Sequence, residues 1–318
     1  MAKDKRVNCA MRKAYKLYNT QGIMQFTNPK QFSKNQTDNA GVVLCNPKTT
    51  EEEKNKALEI LSNWRASHSH TMQVFKQRLK RVSQKMDKNS LSAQRLKRVP
   101  SIIKKLNREF EGNKATMKLT QMQDIAGCRV VMSDVELARK IYQEYYYNCD
   151  LKNKKINEKD YIIYPKNDGY SSIHLVYRYN SDKKKGSIYN GLLVEVQIRS
   201  KLQHIWATAV ETVGFFTGQA IKSNEGEEKW KEFFKLVSSA FAKFENCPLT
   251  PGTPTNEKEL YQRIKNLEEE LNVRKKMKNW TNSLRLFEDL KSKKNAHLFL
   301  LELDTIQEKL IITAYSKK

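Results

Sequence analysis

The stretch Leu192-Leu-Val-Glu195-Val-Gln197-Ile-Arg199-Ser200 decides how this chain is read. Side chains alternate along a β-strand, so Val194, Val196 and Ile198 share one face and Glu195, Gln197 and Arg199 share the other. Three aliphatics on one face place the strand in a sheet packed on a core. The opposite face, an acid, an amide and a base in line, suits a functional cleft and equally an edge strand turned to water. Residues 172–179 repeat the alternation, with His174 opposite Ile173 and Leu175. A histidine so placed is more often a hydrogen-bonded structural residue than a catalyst. Further upstream, Asp124-Ile-Ala-Gly-Cys-Arg-Val-Val-Met132 reads as a loop entering a buried strand. Helices are expected over about 134–147 and 201–216. Strands alternating with helices predict an α/β (α+β) domain with a central mixed β-sheet flanked by helices.

The flanks divide the chain into three parts. Residues 1–89 form an N-terminal helical region. Its first 48 residues show weak periodicity, broken by Gly41, Cys45 and Pro47. Thr49 and Thr50 before Glu51, Glu52 and Glu53 offer a cap and an acidic first turn. Ala57, Ile60, Leu61 and Trp64, then Phe75, Leu79, Val82 and Met86, recur at helical steps, which gives one long amphipathic helix or two in succession. A further helix starts at Pro100 and runs to about Phe110, and a lysine-rich stretch follows residue 147. Trp230, Phe233, Phe234, Val237, Phe241 and Phe244 mark another amphipathic helix, so the central domain is drawn over 90–247. The punctuated run from Pro248 to Pro254 reads as a linker. Beyond it, 255–318 is expected to be a small C-terminal helix–hairpin module. Leu260, Ile264, Leu267 and Leu271 share one helix face there, and strands over 298–303 and 309–315 flank a turn near Asp304. Two strands alone are marginal in water and must pack on something.

Composition narrows the partners. The five cysteines are dispersed with no CxxC pair, which argues against a zinc or disulfide framework and for a reducing compartment. No apolar run approaches the roughly 20 residues that span a bilayer, and the polar, basic N-terminus lacks a signal peptide's apolar region. A cytoplasmic protein with no membrane partner is expected. The formal net charge of +24 favours a polyanionic partner, and by charge alone nucleic acid, nucleotide phosphates, a ribosome or an anionic membrane surface all qualify. Residues 76–108 alone hold twelve basic side chains against the single acid Asp87. They are read as a phosphate-binding stretch, with a solvated helix face as the alternative.

Three constellations carry chemistry. Asp124 and Glu195, if their strands are neighbours, form a carboxylate pair suited to Mg²⁺, which takes one or two carboxylates plus substrate phosphates. Ser101 and Lys105 lie four apart near a helix start, and Arg95 and Lys97 lie two apart in the lead-in. Together they suit a triphosphate, with Arg able to bind bidentately or stack on a base. Lys159, Lys166 and Tyr170 fall in a loop where the tyrosine either stacks a nucleobase or covers the core.

Taken in order, Arg95-x-Lys97…Ser101…Lys105, Asp124-Ile-Ala-Gly-x-Arg129, Lys159-Asp-Tyr…Pro-Lys166…Gly-Tyr170-x-Ser-Ile-His174 and Glu195-Val-Gln197-Ile-Arg199…His204 resemble the RelA/SpoT synthetase domain over roughly 90–215. The resemblance implies a nucleotidyltransferase-like synthetase fold and transfer of pyrophosphate from ATP to a ribose 3′-hydroxyl. It implies that Arg95, Lys97, Ser101, Lys105 and Arg129 bind ATP. Asp124 and Glu195 would hold Mg²⁺, with Glu195 also the base. Lys159, Lys166, Tyr170, His174 and Gln197 would serve the acceptor. Two positions depart from the usual pattern: Asp168 stands where Asn precedes the Gly-Tyr pair, and Ser171 where Gln follows it. An added negative charge at Asp168 disfavours a phosphate-rich guanine nucleotide. The segment from Leu202 to Thr212 is similar to toxic small alarmone synthetases of the CapRel kind, whose acceptor can be the tRNA 3′ end. By that likeness 255–318 would be a regulatory module, incomplete here, and an antitoxin or a phage protein would be a partner. No His-Asp dipeptide occurs, so the family's hydrolase signature is missing. Alternatives are synthesis of the guanosine alarmone from GTP or GDP, and an inactive relative that binds RNA or ribosomes.

Overall fold

The computed structural model describes residues 27–29, 31–107, 109–110, 113–114, 117–146, 152–217, 228–280, 282, 296–304 and 309–316. Two of the five cysteines (Cys9 and Cys149), Arg108 at the end of the basic stretch, and the hairpin turn expected near Asp304 (305–308) lie outside them.

A five-stranded mixed sheet organises the molecule. Its strands are β1 (Leu91–Leu96), β2 (Ala126–Met132), β3 (Lys154–Asp160), β4 (Ile173–Arg178) and β5 (Leu193–Ser200), in the spatial order β1-β2-β5-β4-β3. Only the central β2–β5 pair is parallel; the other three pairings are antiparallel. Both edge strands differ from the sequence expectation. Residues 91–96 were anticipated only as a lead-in, 154–160 as lysine-rich chain, and Lys159 as part of a loop. An edge strand has one hydrogen-bonded neighbour and tolerates polar residues on both faces, so it lacks the apolar alternation that marks the three inner strands.

Helices α1 (Lys34–Cys45), α2 (Glu51–Met86), α3 (Val99–Leu106), α4 (Val135–Tyr146), α5 (Lys201–Phe216), α6 (Glu228–Phe244) and α7 (Glu257–Leu271) surround the sheet. The α2 helix is a single 36-residue rod, about 54 Å long at 1.5 Å per residue. Its capping box is the expected one: Glu53 N donates to Thr50 Oγ1 and Thr50 N donates to Glu53 Oε2. The α1 helix was hidden by Gly41, which proves to be a contact residue. A Cβ there would stand 3.2 Å from Leu119 Cβ and 3.3 Å from Leu106 Cδ1. The helix begins at Ser33, whose capping box with Gln36 supplies the local start signal. The α3 helix ends at Leu106 instead of near Phe110, and Glu109–Phe110 pairs with Asn113–Lys114 as a two-residue ribbon.

Two apolar cores lie on opposite sides of the sheet. In the first, Leu61, Phe75 and Leu79 of α2 and Ala138 and Ile141 of α4 pack on Cys128, Val130, Ile173, Leu175, Val194, Val196 and Ile198. The aliphatic face of β5 is thus the buried face. In the second, Trp206, Val210, Val213 and Phe216 of α5 meet Trp230, Phe233 and Phe234 of α6, Leu271 of α7, and Trp280. The Pro248–Pro254 run is not a free linker. Thr250 is buried, its N–H donates to Ser239 Oγ, and Thr253 Oγ1 lies 2.7 Å from that same oxygen. With Leu260 and Leu271 buried, α7 packs on α6 in continuity with the second core. The C-terminal strands Ala296–Asp304 and Lys309–Ser316 pair antiparallel, as their apolar runs predict.

Candidate active site

Register brings the polar faces of the strands together. Across the sheet, Ala93, Arg129, Gln197, His174 and Lys159 stand opposite one another in one row, and Arg95, Gly127 and Glu195 form the next. Paired residues project to the same side, so this face opposes the α2 core. It floors a cleft of about 810 Å³ whose far wall is α5 and α6. Nine Lys or Arg side chains and four carboxylates line it among the described residues, an excess of cations suited to a polyphosphate.

Asp124 sits just before β2. Lys97 N donates to Ile125 O, extending the β1–β2 pairing to the rim, and Lys97 Nζ reaches Asp124 Oδ2 at 2.9 Å. One α3 turn after Ser101, Lys105 Nζ reaches Asp124 Oδ1 at 2.8 Å. Burial pushes the Asp124 carboxyl up, but Lys105 and then Lys97 outweigh it and hold it below the usual carboxylate range. Glu195 is treated similarly by different groups. His174 Nδ1 lies 2.9 Å from its Oε1, and Gln197 Nε2 donates to its Oε2 at 2.7 Å. Burial raises the Glu195 carboxyl, and the bonds from His174 and Gln197 bring it below the normal value, against the like charge of Asp124.

Tyr170 is buried in the second core. Its hydroxyl lies 2.7 Å from His174 Nε2 and accepts from Arg199 Nη2 at 2.6 Å. Its ring meets Trp206 edge-on, with the Arg199 guanidinium 5.0 Å and Lys166 Nζ 5.3 Å from its centroid. The loop that carries it is tightly specified. Asp168 Oδ1 accepts from Tyr170 N, and Gly169 has φ +89°. A Cβ on Gly169 would lie 2.9 Å from Ser238 Cβ and 3.1 Å from Trp206 Cζ2.

Residues 94–214 match the family described as a region found in RelA/SpoT proteins. Over 121 residues the chain is 31 % identical to GTP pyrophosphokinase YjbM of Bacillus subtilis strain 168, covering 38 % of this chain and 54 % of that protein. Over 116 residues it is 32 % identical to GTP pyrophosphokinase YwaC of the same organism, covering 36 % and 52 %. The chain thus spans about half the length of the curated relatives it matches. Among solved structures, small alarmone synthetase 1 from Bacillus subtilis bound to its product pppGpp is similar with TM-score 0.47 and 25 % identity, over 56 % of this chain and 89 % of that one.

The matched stretch, residues 94–214, contains every site residue expected from sequence. Asp124, Glu195, Arg95, Lys97, Ser101, Lys105, Arg129, Lys166, Tyr170, His174 and Gln197 line one cleft. Lys159 does not. It stands opposite His174 on edge strand β3 with its side chain exposed, outside the lining. Among the described bases of the 76–108 stretch, the cleft takes Arg95, Lys97, Arg98, Lys104 and Lys105. The bases of α2 belong to the helix packed on the opposite face of the sheet, and Lys80, Arg81, Lys85 and Lys88 are exposed there. Sequence reasoning passed over the α5 wall. Thr208, Glu211, Thr212 and Phe215 are spaced i, i+3, i+4, i+7, a stripe legible from helical period alone. It also left Arg199 without a role, although its period placed it beside Glu195 and Gln197. Burial, then Arg199 and Arg95, lower the Arg129 pKa, while Glu211 acts against them.

Proposed function

We propose that this chain is a RelA/SpoT-type pyrophosphokinase that transfers pyrophosphate from ATP to a nucleotide's ribose 3′-hydroxyl. The observation that carries this is the ionised carboxylate pair, Asp124 and Glu195, in a cleft otherwise dominated by cations. In such a transfer the acceptor's 3′-oxygen bonds to the β-phosphorus while the bridge between the α- and β-phosphates breaks and AMP leaves. Little covalent chemistry is asked of the protein beyond positioning and charge stabilisation. Lys97 and Lys105 sit on Asp124 and are poised to exchange that carboxylate for ATP phosphates. Arg95 and Arg129 add charge along the same floor. Glu195, with both oxygens accepting, is oriented to take the hydroxyl proton.

The donor set also fits Mg²⁺. Asp124 and Glu195 are hard oxygen ligands kept deprotonated in a phosphate-sized cleft. When bound, the ion would neutralise phosphate charge and make the 3′-hydroxyl more acidic. Glu195→Gln should lower turnover at least about 100-fold, the scale of losing a general base, while circular dichroism stays unchanged. Turnover at the wild-type rate would refute the assignment.

Two acceptors are supported by different observations. The relatives' printed names, both GTP pyrophosphokinases, support a guanine nucleotide. The net charge of +24 and the carboxylate of Asp168 at the cleft support the tRNA 3′ end, which would make the protein a translation-blocking toxin. In that reading an antitoxin or a phage protein would restrain or trigger it, and 255–318 would be the regulatory part. The turn bond that Tyr170 N donates to Asp168 Oδ1 can equally be accepted by Asn, so the charge is what Asp168 adds. Asp168→Asn should therefore raise transfer to GDP or GTP relative to tRNA. An unchanged ratio would remove Asp168 from acceptor choice.

A further inference from the structure

The far wall of the cleft carries a carboxylate to which pyrophosphate transfer assigns no task. Four acids line the cleft among the described residues: Asp124, Asp168, Glu195 and Glu211. Asp124 meets two lysines, Glu195 meets His174 and Gln197, and Asp168 accepts from Tyr170 N. Glu211 stands across from them on α5, exposed, in the stripe with Thr208, Thr212 and Phe215. An anionic side chain in a cleft for polyphosphates weakens their binding unless it accepts hydrogen from the ligand. The Thr208 and Thr212 hydroxyls donate at 2.9 Å to His204 O and Thr208 O, so their hydrogens are engaged by the helix itself. Phe215, one turn beyond Glu211, is 54 % exposed. A single strong acceptor beside an open aromatic ring suits a nucleobase better than a phosphate.

The floor opposite is shaped to match. Across β1 and β2, Arg95 pairs with Gly127 and Ala93 pairs with Arg129. On the cleft face the two arginines are therefore diagonal neighbours, and each stands beside a position with little or no side chain. A Cβ added at Gly127 would have only Arg95 O near it among the described residues, at 3.6 Å, so the floor is open there. Planar guanidinium groups at two corners of such a patch suit a flat heterocycle. The charges of Arg95 and Glu211 both act on Arg129, which puts the carboxylate within electrostatic reach of the patch. Two residues on from Arg95, Lys97 and its neighbour Lys105 are the groups poised for ATP phosphates.

Building on the pyrophosphokinase reading, we infer that Glu211 is a specificity-determining residue of the donor site: its carboxylate accepts a hydrogen bond from the exocyclic amino group of ATP's adenine, whose ring lies on the patch between Arg95 and Arg129. The match is one of hydrogen-bond type. A carboxylate can only accept, the 6-amino group can only donate, and the bond between them is charge-assisted. A purine without that amino group leaves the carboxylate facing no donor, so the wall rejects it.

The test measures binding by calorimetry in the full-length chain with Mg²⁺ and no acceptor, so that no transfer occurs. The probes are ATP and purine riboside 5′-triphosphate, which differs from ATP only in lacking the 6-amino group. The wild type should bind ATP about 10- to 100-fold more tightly, the range for a hydrogen bond to a charged group. Glu211→Ala should abolish the preference. Glu211→Gln, which keeps an acceptor oxygen but no charge, should retain about two- to tenfold. If Glu211 serves only as a counter-charge to Arg129, Glu211→Ala shifts both affinities together and keeps the preference, and that result would overturn the inference. A wild type that binds both triphosphates without preference would do the same, as when Glu211 meets a ribose hydroxyl or the acceptor instead. The wild-type preference and the glutamine variant keep the test decisive should the alanine variant fail to fold. Equal binding of both triphosphates removes the role of Glu211 alone, whereas binding of neither removes the pyrophosphokinase reading with it.

Discussion

Asp124 and Glu195 are half-buried acids stabilised in their charged forms by different partners, two ammonium groups in one case and a histidine and an amide in the other. Depressed folded-state values mean that the stability they contribute is complete above the unfolded carboxyl range, near pH 4, and is lost as pH falls through the folded values. Asp124→Asn should therefore flatten the acid side of the stability curve, as followed by urea unfolding between pH 5 and 3. An unchanged slope would show that the lysine contacts do not persist in solution. His68 titrates in a different window. Fully buried on α2 with Nδ1 2.8 Å from Trp64 O, its pKa is lowered to about 4 by burial. The unfolded chain gains a proton near pH 6.5 and the folded one does not, so stability falls between pH 6.5 and about 4. The span corresponds to about 3 kcal/mol at 1.36 kcal/mol per unit, and His68→Gln should remove that slope. At this scale much of the cleft was legible. Acids and bases two apart on a strand, or four apart on a helix, must share a face. Lys159 was misplaced because residue type says nothing about whether a strand lies at the edge of its sheet.

Gly169 shows what the elements demand of single positions. Its φ of +89° and the 2.9 Å approach of Ser238 Cβ leave no room for a side chain between the Tyr170 loop and α6. Gly169→Ala should destabilise by about 1–3 kcal/mol from backbone strain alone, seen as a lower Tm with reduced transfer. A wild-type Tm would mean that the loop relaxes freely away from α6. The α5 helix shows why some elements read clearly. Ser200 ends β5 and at once caps α5, with Gln203 N donating to Ser200 Oγ and Ser200 N to Gln203 Oε1, so strand end and helix start are written in four residues. The inner strands announced themselves because both neighbours and a core act on them. Edge strands β1 and β3 carried no such pattern, and the Pro-rich run resembled a linker because its anchoring is by side-chain hydrogen bonds to Ser239 on α6, which leave no apolar pattern in the run itself.

At the scale of the molecule, the sheet separates a core built on α2 and α4 from an aromatic one built on α5, α6 and α7, and the cleft opens on the aromatic side. This changes how a regulatory role for the C-terminal part is tested. Deleting 255–318 would remove Leu260 and Leu271, and Trp280 stacked on Phe216 at 5.0 Å, and so would damage the core beside the cleft. Truncation after Ser283 retains those contacts. It should raise transfer and toxicity if the hairpin restrains the enzyme, and unchanged activity and growth would remove that role. The fold class followed from alternating strands and helices, whereas the union of α7 with the aromatic core depends on contacts that no local pattern reveals. The central claim concerns which phosphorus is attacked. The purified chain would be incubated with Mg²⁺ and γ-labelled ATP, with GDP, GTP or tRNA offered separately, and AMP and labelled acceptor quantified together. The account predicts AMP released in equal amount to label gained at a ribose 3′-hydroxyl, both lowered at least about 100-fold in Glu195→Gln. ADP with transfer of a single phosphate, or no AMP with any of the three acceptors, would contradict it.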